Sequence, residues 1–341
     1  EIPANTLVFY GDNKDMQFTI QPDLSSESLK AAVQGADKDL YVTNSVTNVK
    51  TKKPINGYTI LNINAIGNAD DTVYGIYNDK SGLVSIQSRF FNMNVSGNDK
   101  GSAIYAGNNG TTESKVKVKV AAMPTDSIKN TITATGNIAE AGKNGVVEFS
   151  AENNTIISST GGNIFYAHDG GKINVLKGDK NYLGIGVKSV AEGKYLALAE
   201  NKGEINYGVS STHYDKLDYD AISVASSKGD LAGDMKTDAE SKITFGISGT
   251  GRVYTGNVAG NISLYAYDGA TWNGAISGDD SNINLGFTGN SVWNITSDAK
   301  QHVNKLTSSD AASKRNFVNV GAGDITIDKY AGNTTFVFQH T

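Results

Sequence analysis

The chain has 341 residues, of which 38% are apolar and 19% charged, and its net charge at pH 7 is −5. That balance is too polar for one large globular core and too rich in Ile, Val, Phe and Tyr for disorder. The acidic balance also argues against a general nucleic-acid binder.

There is no cysteine, so stability has to come from extended burial rather than disulfide staples, and no apolar run approaches the roughly 20 residues that span a bilayer as a helix. All four prolines (Pro3, Pro22, Pro54, Pro124) fall within the first 124 positions, while 38 glycines are used freely. Proline removes a backbone donor, so a long proline-free stretch fits continuous hydrogen-bonded ladders and an all-β chain.

The opening segment, EIPANTLVFYGD, has neither the basic nor the apolar region of a secretory signal, so any such signal is expected to have been removed already. Asp23–Gly35, DLSSESLKAAVQG, reads as a short helix: serines at its start, Leu29, Ala32 and Val33 on one face, and Gly35 as its stop. Residues 1–60 fit the downstream repeats poorly. They are expected to form a cap or atypical first coil, and residues 61–341 the repeated body.

That body is built from ragged repeats. GIYNDKSGLVSI, AIYAGNNGTTESKVKV, IAEAGKNGVVEF, IFYAHDGGKINV, YLALAENKGEIN and AISVASSKGDLAG each read as strand, polar turn with glycine, and strand. Their turn glycines, Gly82, Gly110, Gly145, Gly171, Gly203 and Gly229, are spaced 28, 35, 26, 32 and 26 apart. Unequal spacing implies loops that protrude from a regular wall, and local function belongs more naturally to such loops.

Two segments of this region are candidate binding elements. In SKVKVKVAA, Lys115, Lys117 and Lys119 alternate with valines, which places the valines in the core and a positive stripe in solvent. The stripe suits an anionic glycan, lipopolysaccharide or extracellular DNA; alternatively it guards a strand edge against unwanted pairing. In STHYDKLDYDA, His213, Tyr214, Asp215, Asp218, Tyr219 and Asp220 are gathered in one loop-like segment. Tyrosines with carboxylates suit a sugar or a protein interface, and a solvated loop between coils is the alternative.

Towards the end the repeat tightens. Trp272-Asn273 and Trp293-Asn294 are 21 positions apart, as are Ile262 and Ile283. Further steps land near Val303 and on Ile325 and Ile327, and aromatics follow a looser beat at Tyr254, Trp272, Trp293, Phe317 and Phe336. Strand-period alternation in a repeat near 20 residues, without a helical phrase, points to a parallel β-helix.

The stretch from Ala270 to Phe338 resembles the C-terminal end of autotransporter passenger domains. The resemblance rests on Trp272-Asn273-Gly274, on Trp293 to Thr296, on Val303 to Leu306, and on Thr326 to Phe336 entering an autochaperone-like region at about 300–341. It implies a right-handed β-helix displayed at the cell surface after export across a bacterial outer membrane by its own C-terminal barrel, which is expected to lie outside these 341 residues. Passengers of this kind include adhesins as well as proteases and esterases.

Serine protease passengers carry a Gly-Asp-Ser-Gly phrase, which is absent here, and His168, His213, His302 and His340 each stand alone in the sequence. Where esterase passengers have Gly-Asp-Ser-Leu, this chain reads Gly11-Asp12-Asn13-Lys14, with asparagine in the nucleophile's place. Asp279-Asp280 and the Asp215–Asp220 carboxylates are candidates for a polysaccharide-degrading site, yet none of the three arginines (Arg89, Arg252, Arg315) falls beside them. No catalytic residue, metal or cofactor is therefore expected. The expected function is that of an adhesin, mediating weak self-association and biofilm formation or attachment to a surface glycan or protein.

Overall fold

The computed structural model describes residues 5–9, 16–44, 59–120, 129–152, 154–177, 182–209, 222–309 and 314–339. Among these residues the chain forms short strands and no helix. Within each long sheet a strand pairs in parallel with the strands one coil before and one coil after it, as Ser114–Val120 does with Leu83–Ser88 and Gly145–Ala151. The chain is a parallel β-helix.

Three walls enclose the core. A twelve-stranded sheet runs from Thr6–Phe9 to Ile325–Gly332, and an eight-stranded sheet from Lys30–Gln34 to Val258–Ala259. The third wall begins as a six-stranded sheet from Met16–Ile20 to Ile185–Gly186. A second six-stranded sheet, Leu231–Ala232 to Thr334–Phe338, continues it through a single Val187–Leu231 bridge.

In-register parallel pairing stacks like on like. Along the twelve-stranded sheet the inward column reads Val42, Ile86, Val118, Phe149, Val175, Tyr207, Phe245, Leu264, Leu285 and Leu306. All of these are buried, and each such side chain contributes about 1.5–3 kcal/mol by leaving water. The alternation visible in the sequence is thus the alternation between core and solvent.

The 21-residue step is the register of the later coils: Ile262 lies beside Ile283 and Trp272 beside Trp293. Earlier coils are longer because they carry a third strand; after Val258–Ala259 the eight-stranded sheet stops, and each coil keeps two main strands. The aromatic column runs Tyr254, Trp272, Trp293, Val318, Phe336. Phe317, expected in it, pairs instead with Val292 on the outward side, one residue out of phase. A one-residue slip along a strand exchanges the faces.

The short helix expected over Asp23–Gly35 does not form. Lys30–Gln34 is a strand paired with Val73–Tyr77, with Ala31 and Val33 buried, and Leu24 also enters the core. Asp23 accepts the Ser25 backbone N–H and makes a turn, not a helix cap. A strand partner one coil away outweighs weak local helix propensity in so short a segment.

The turn glycines are not equivalent. Gly145, Gly171 and Gly203 sit at the corner entering the twelve-stranded sheet, where an added Cβ would lie 2.0–2.1 Å from a carbonyl oxygen of the previous coil. Gly110 is exposed in a wider turn, and in that coil Ser114 stacks on Gly145.

Candidate functional site

Lys115, Lys117 and Lys119 lie on the outward face of Ser114–Val120, with Val116, Val118 and Val120 fully buried behind them. The strand has neighbours on both sides, so guarding an edge is not its role. Nor is the stripe purely positive. Glu148 of the next coil lies 2.5 Å from the Lys115 ammonium and stands in register with Lys117. Two coils on, Glu204 sits between Lys172 and Lys242, 3.5 and 3.6 Å away. This face is of mixed sign, and such partly solvated pairs are each worth about 0–1 kcal/mol.

The segment holding His213, Tyr214, Asp215, Asp218, Tyr219 and Asp220 lies outside the described residues. Asp279 and Asp280 are exposed in a turn. Arg252 pairs with Asp230, at 3.5 Å, and not with either of them.

Sequence reasoning missed a dense polar and aromatic cluster on the outward face of the eight-stranded sheet. Tyr77, Tyr105, Glu140 and Tyr166 occupy one column, contributed by four successive coils. Tyr77 and Tyr105 stack at 4.9 Å between centroids, 9° from parallel, and Tyr74 leans on both. Glu140 accepts hydrogen bonds from the Ser102 hydroxyl and the Asn137 amide. His168, read as solitary in the sequence, is held between two carboxylates: Nε2 is 3.1 Å from Glu140 Oε1 and Nδ1 is 2.8 Å from Asp169 Oδ2. Its ring stacks on Tyr166, whose hydroxyl donates to Glu200 at 3.2 Å.

The electrostatics follow from that packing. Burial alone would lower the His168 pKa, but its hydrogen bonds to Glu140 and Asp169 outweigh this and raise it. Asp169 is held below the usual carboxylate range by His168 and by the Asn201 amide. Burial, reinforced by neighbouring carboxylates, pushes the Tyr74 and Tyr166 phenols up to about 12 and raises Tyr105 as well. At physiological pH these tyrosines are therefore hydrogen-bond donors, and the two carboxylates beside His168 favour its charged imidazolium form. Ser102 donates to Glu140, not to a histidine, so it is not arranged as a histidine-activated nucleophile.

A signal for this cluster existed in the sequence. Aligning Ile76-Tyr77, Ile104-Tyr105, Ala139-Glu140 and Phe165-Tyr166 from the repeats puts the four side chains in one column. What the alignment could not supply is that His168, two residues further along its strand, bends back to Glu140 on the coil before.

Comparison with protein-family models, with curated proteins and with solved structures finds no match to this chain.

Proposed function

We propose that this chain is the rigid binding body of a bacterial surface adhesin of the autotransporter passenger kind, associating weakly with copies of itself through its outward faces. The observation that carries the reading is the organisation of those faces into continuous cross-coil rows. On one wall Gln17 and Thr19 precede Asn62, Asn92 and Thr131, which hand hydrogen bonds along the row. On the next wall stand Tyr77, Tyr105, Glu140 and Tyr166.

Side chains held laterally in this way have already lost much of their rotamer freedom, so ordering them against a partner costs less. Each polar contact between two such walls contributes about 0.5–1.5 kcal/mol. Many weak contacts, repeated over many molecules on two cells, give avidity without one tight site.

Sedimentation velocity of the purified chain over a concentration series, at low and high salt, tests the reading. A reversible dimer that weakens with salt and is lost in Tyr105→Ala or Lys117→Glu supports it. A monomer at every concentration sinks it.

A further inference from the structure

The eight-stranded sheet ends at Val258–Ala259, and in the next coil a single Val258–Ile276 bridge continues it before the chain turns away. The step leaves a cleft of about 710 Å³ on the side where the eight-stranded sheet has stopped. Successive coils line it: Asn257 from one, Ile276 and Asp279 from the next, Ser297 and Lys300 from the one after, with His302 at its margin.

The walls are pinned by side chains that replace the missing sheet. The Ala275 N–H donates to Asn257 Oδ1 at 3.0 Å, and the Ile276 N–H donates to Gln301 Oε1 at 2.6 Å. Gln301 is buried, in register with Ile325 of the following coil, and its amide in turn donates to the Ala299 carbonyl at 2.8 Å. Ser297 accepts the Ala299 N–H at 3.1 Å. The cleft is therefore built from ordered backbone and not from a chance gap between loops.

Its chemistry is mixed in a specific way. Ala275 and Ile276 supply buried apolar surface. Asp279 is an acceptor, the Lys300 ammonium and the Asn257 amide nitrogen are donors, and the Ser297 hydroxyl is both. The Lys300 and Asp279 charges cancel, and His302 is held by both oxygens of Asp328 at 3.0 Å. A phosphate or sulfate ligand would need an unopposed cationic set, which this is not. A peptide helix would need a wide apolar trough.

A neutral pyranose matches the set, because it presents an apolar C–H face and a girdle of hydroxyls, each able to donate and accept. The volume lies within the roughly 300–1,000 Å³ of small-molecule sites, which suits a short oligosaccharide and not a single ion. We infer that the cleft between Asn257, Asp279 and Lys300 binds a short neutral oligosaccharide. This site is distinct from the self-associating faces and does not depend on them.

The test is calorimetric titration of the chain with a panel of neutral oligosaccharides (gluco-, galacto-, manno- and N-acetylhexosamine types) beside uronic-acid and sulfated ones. Saturable binding of a neutral member is expected, weakened tenfold or more by Asp279→Ala and by Lys300→Ala. Both residues are exposed, so unchanged melting temperatures will separate lost contact from lost fold. No binding by any neutral member, binding confined to the acidic members, or binding indifferent to both substitutions would each overturn the inference. Self-association is read separately by sedimentation, so the two proposals fail independently.

Discussion

Trp272 and Trp293 lie face to face, centroids 4.5 Å apart and planes 6° from parallel, with no surface left to solvent. Each indole N–H donates to a glycine carbonyl of the preceding coil, Trp272 to Gly256 and Trp293 to Gly274, both at 2.9 Å. The asparagine that follows each tryptophan points the other way. Asn294 donates to Asn273 at 2.7 Å, and Asn319 continues the row at 2.6 Å. The Trp-Asn pair thus builds one core stack and one surface ladder from adjacent residues.

Trp293→Ala should cost about 3–5 kcal/mol, the range for emptying a large buried aromatic site. Trp293→Phe should cost less, since it keeps a ring in the stack and loses the bond to Gly274 and only part of the buried volume. Urea unfolding monitored by circular dichroism measures both, and equal losses in the two variants would contradict the stacking argument.

Glycine substitution should divide the turn glycines into two groups. At Gly171 a Cβ would meet the Ala141 carbonyl oxygen at 2.1 Å, and neither backbone segment can move without disturbing its coil. Gly171→Ala is expected to destabilise by about 1–3 kcal/mol or more. At Gly110 the nearest atom is the Asn108 side-chain oxygen at 3.0 Å, which needs to give only slightly while still accepting the Gly110 N–H. Gly110→Ala should change the melting temperature little.

Asn78 is fully buried at a corner and donates to the carbonyls of Gly82 and Lys115, at 2.8 and 2.9 Å. Its side-chain oxygen accepts the Lys80 N–H, so one amide ties two coils together. Asn78→Leu removes both donors and leaves two carbonyls short of a partner. A loss of about 1–3 kcal/mol is expected, and faster amide exchange around Lys115 should accompany it.

His168 makes stability depend on pH with a definite sign. Its folded pKa is raised above the ordinary 6.5, so its contribution is fully present below that value and is lost as pH rises through the folded pKa. Asp169, lowered from 3.8, contributes above that value and loses its contribution as pH falls through its folded pKa. The gap in melting temperature between the natural chain and His168→Gln should therefore be widest between pH 4 and 6.5 and shrink above it. A gap independent of pH would show that His168 acts by packing alone.

The sequence carried the solenoid because its two signals are local: alternation along each strand, and the return of Ile262 at Ile283 and Trp272 at Trp293. It misjudged residues where pairing with another coil decides the outcome. Lys30–Gln34 has helix-compatible residues, yet the Val73–Tyr77 strand captures it. Ser114, and not Gly110, holds the tight corner, because the turn before it is wider. The Tyr77–Tyr105–Glu140–His168 cluster was hidden for the same reason: its members come from separate coils and meet only once those coils are stacked. The cleft beside Asp279 was less legible still, since it exists because a sheet stops, and no residue marks that step as a motif does.

Each strand finds its partner one coil away, at 21 positions for Ile262 and Ile283 and 31 for Val116 and Val147. Closing such loops costs nearly the same at every coil, because closure entropy changes by only about 0.6 kcal/mol per doubling of length. Starting is different: the first two coils have to order together with no edge to build on. Folding of this all-β chain is therefore expected to resemble growth of a layered crystal from a seed. Trp272 and Trp293, the largest fully buried side chains among the described residues, offer a stacked aromatic seed, and the time to completion should then scale with the number of coils laid down from it.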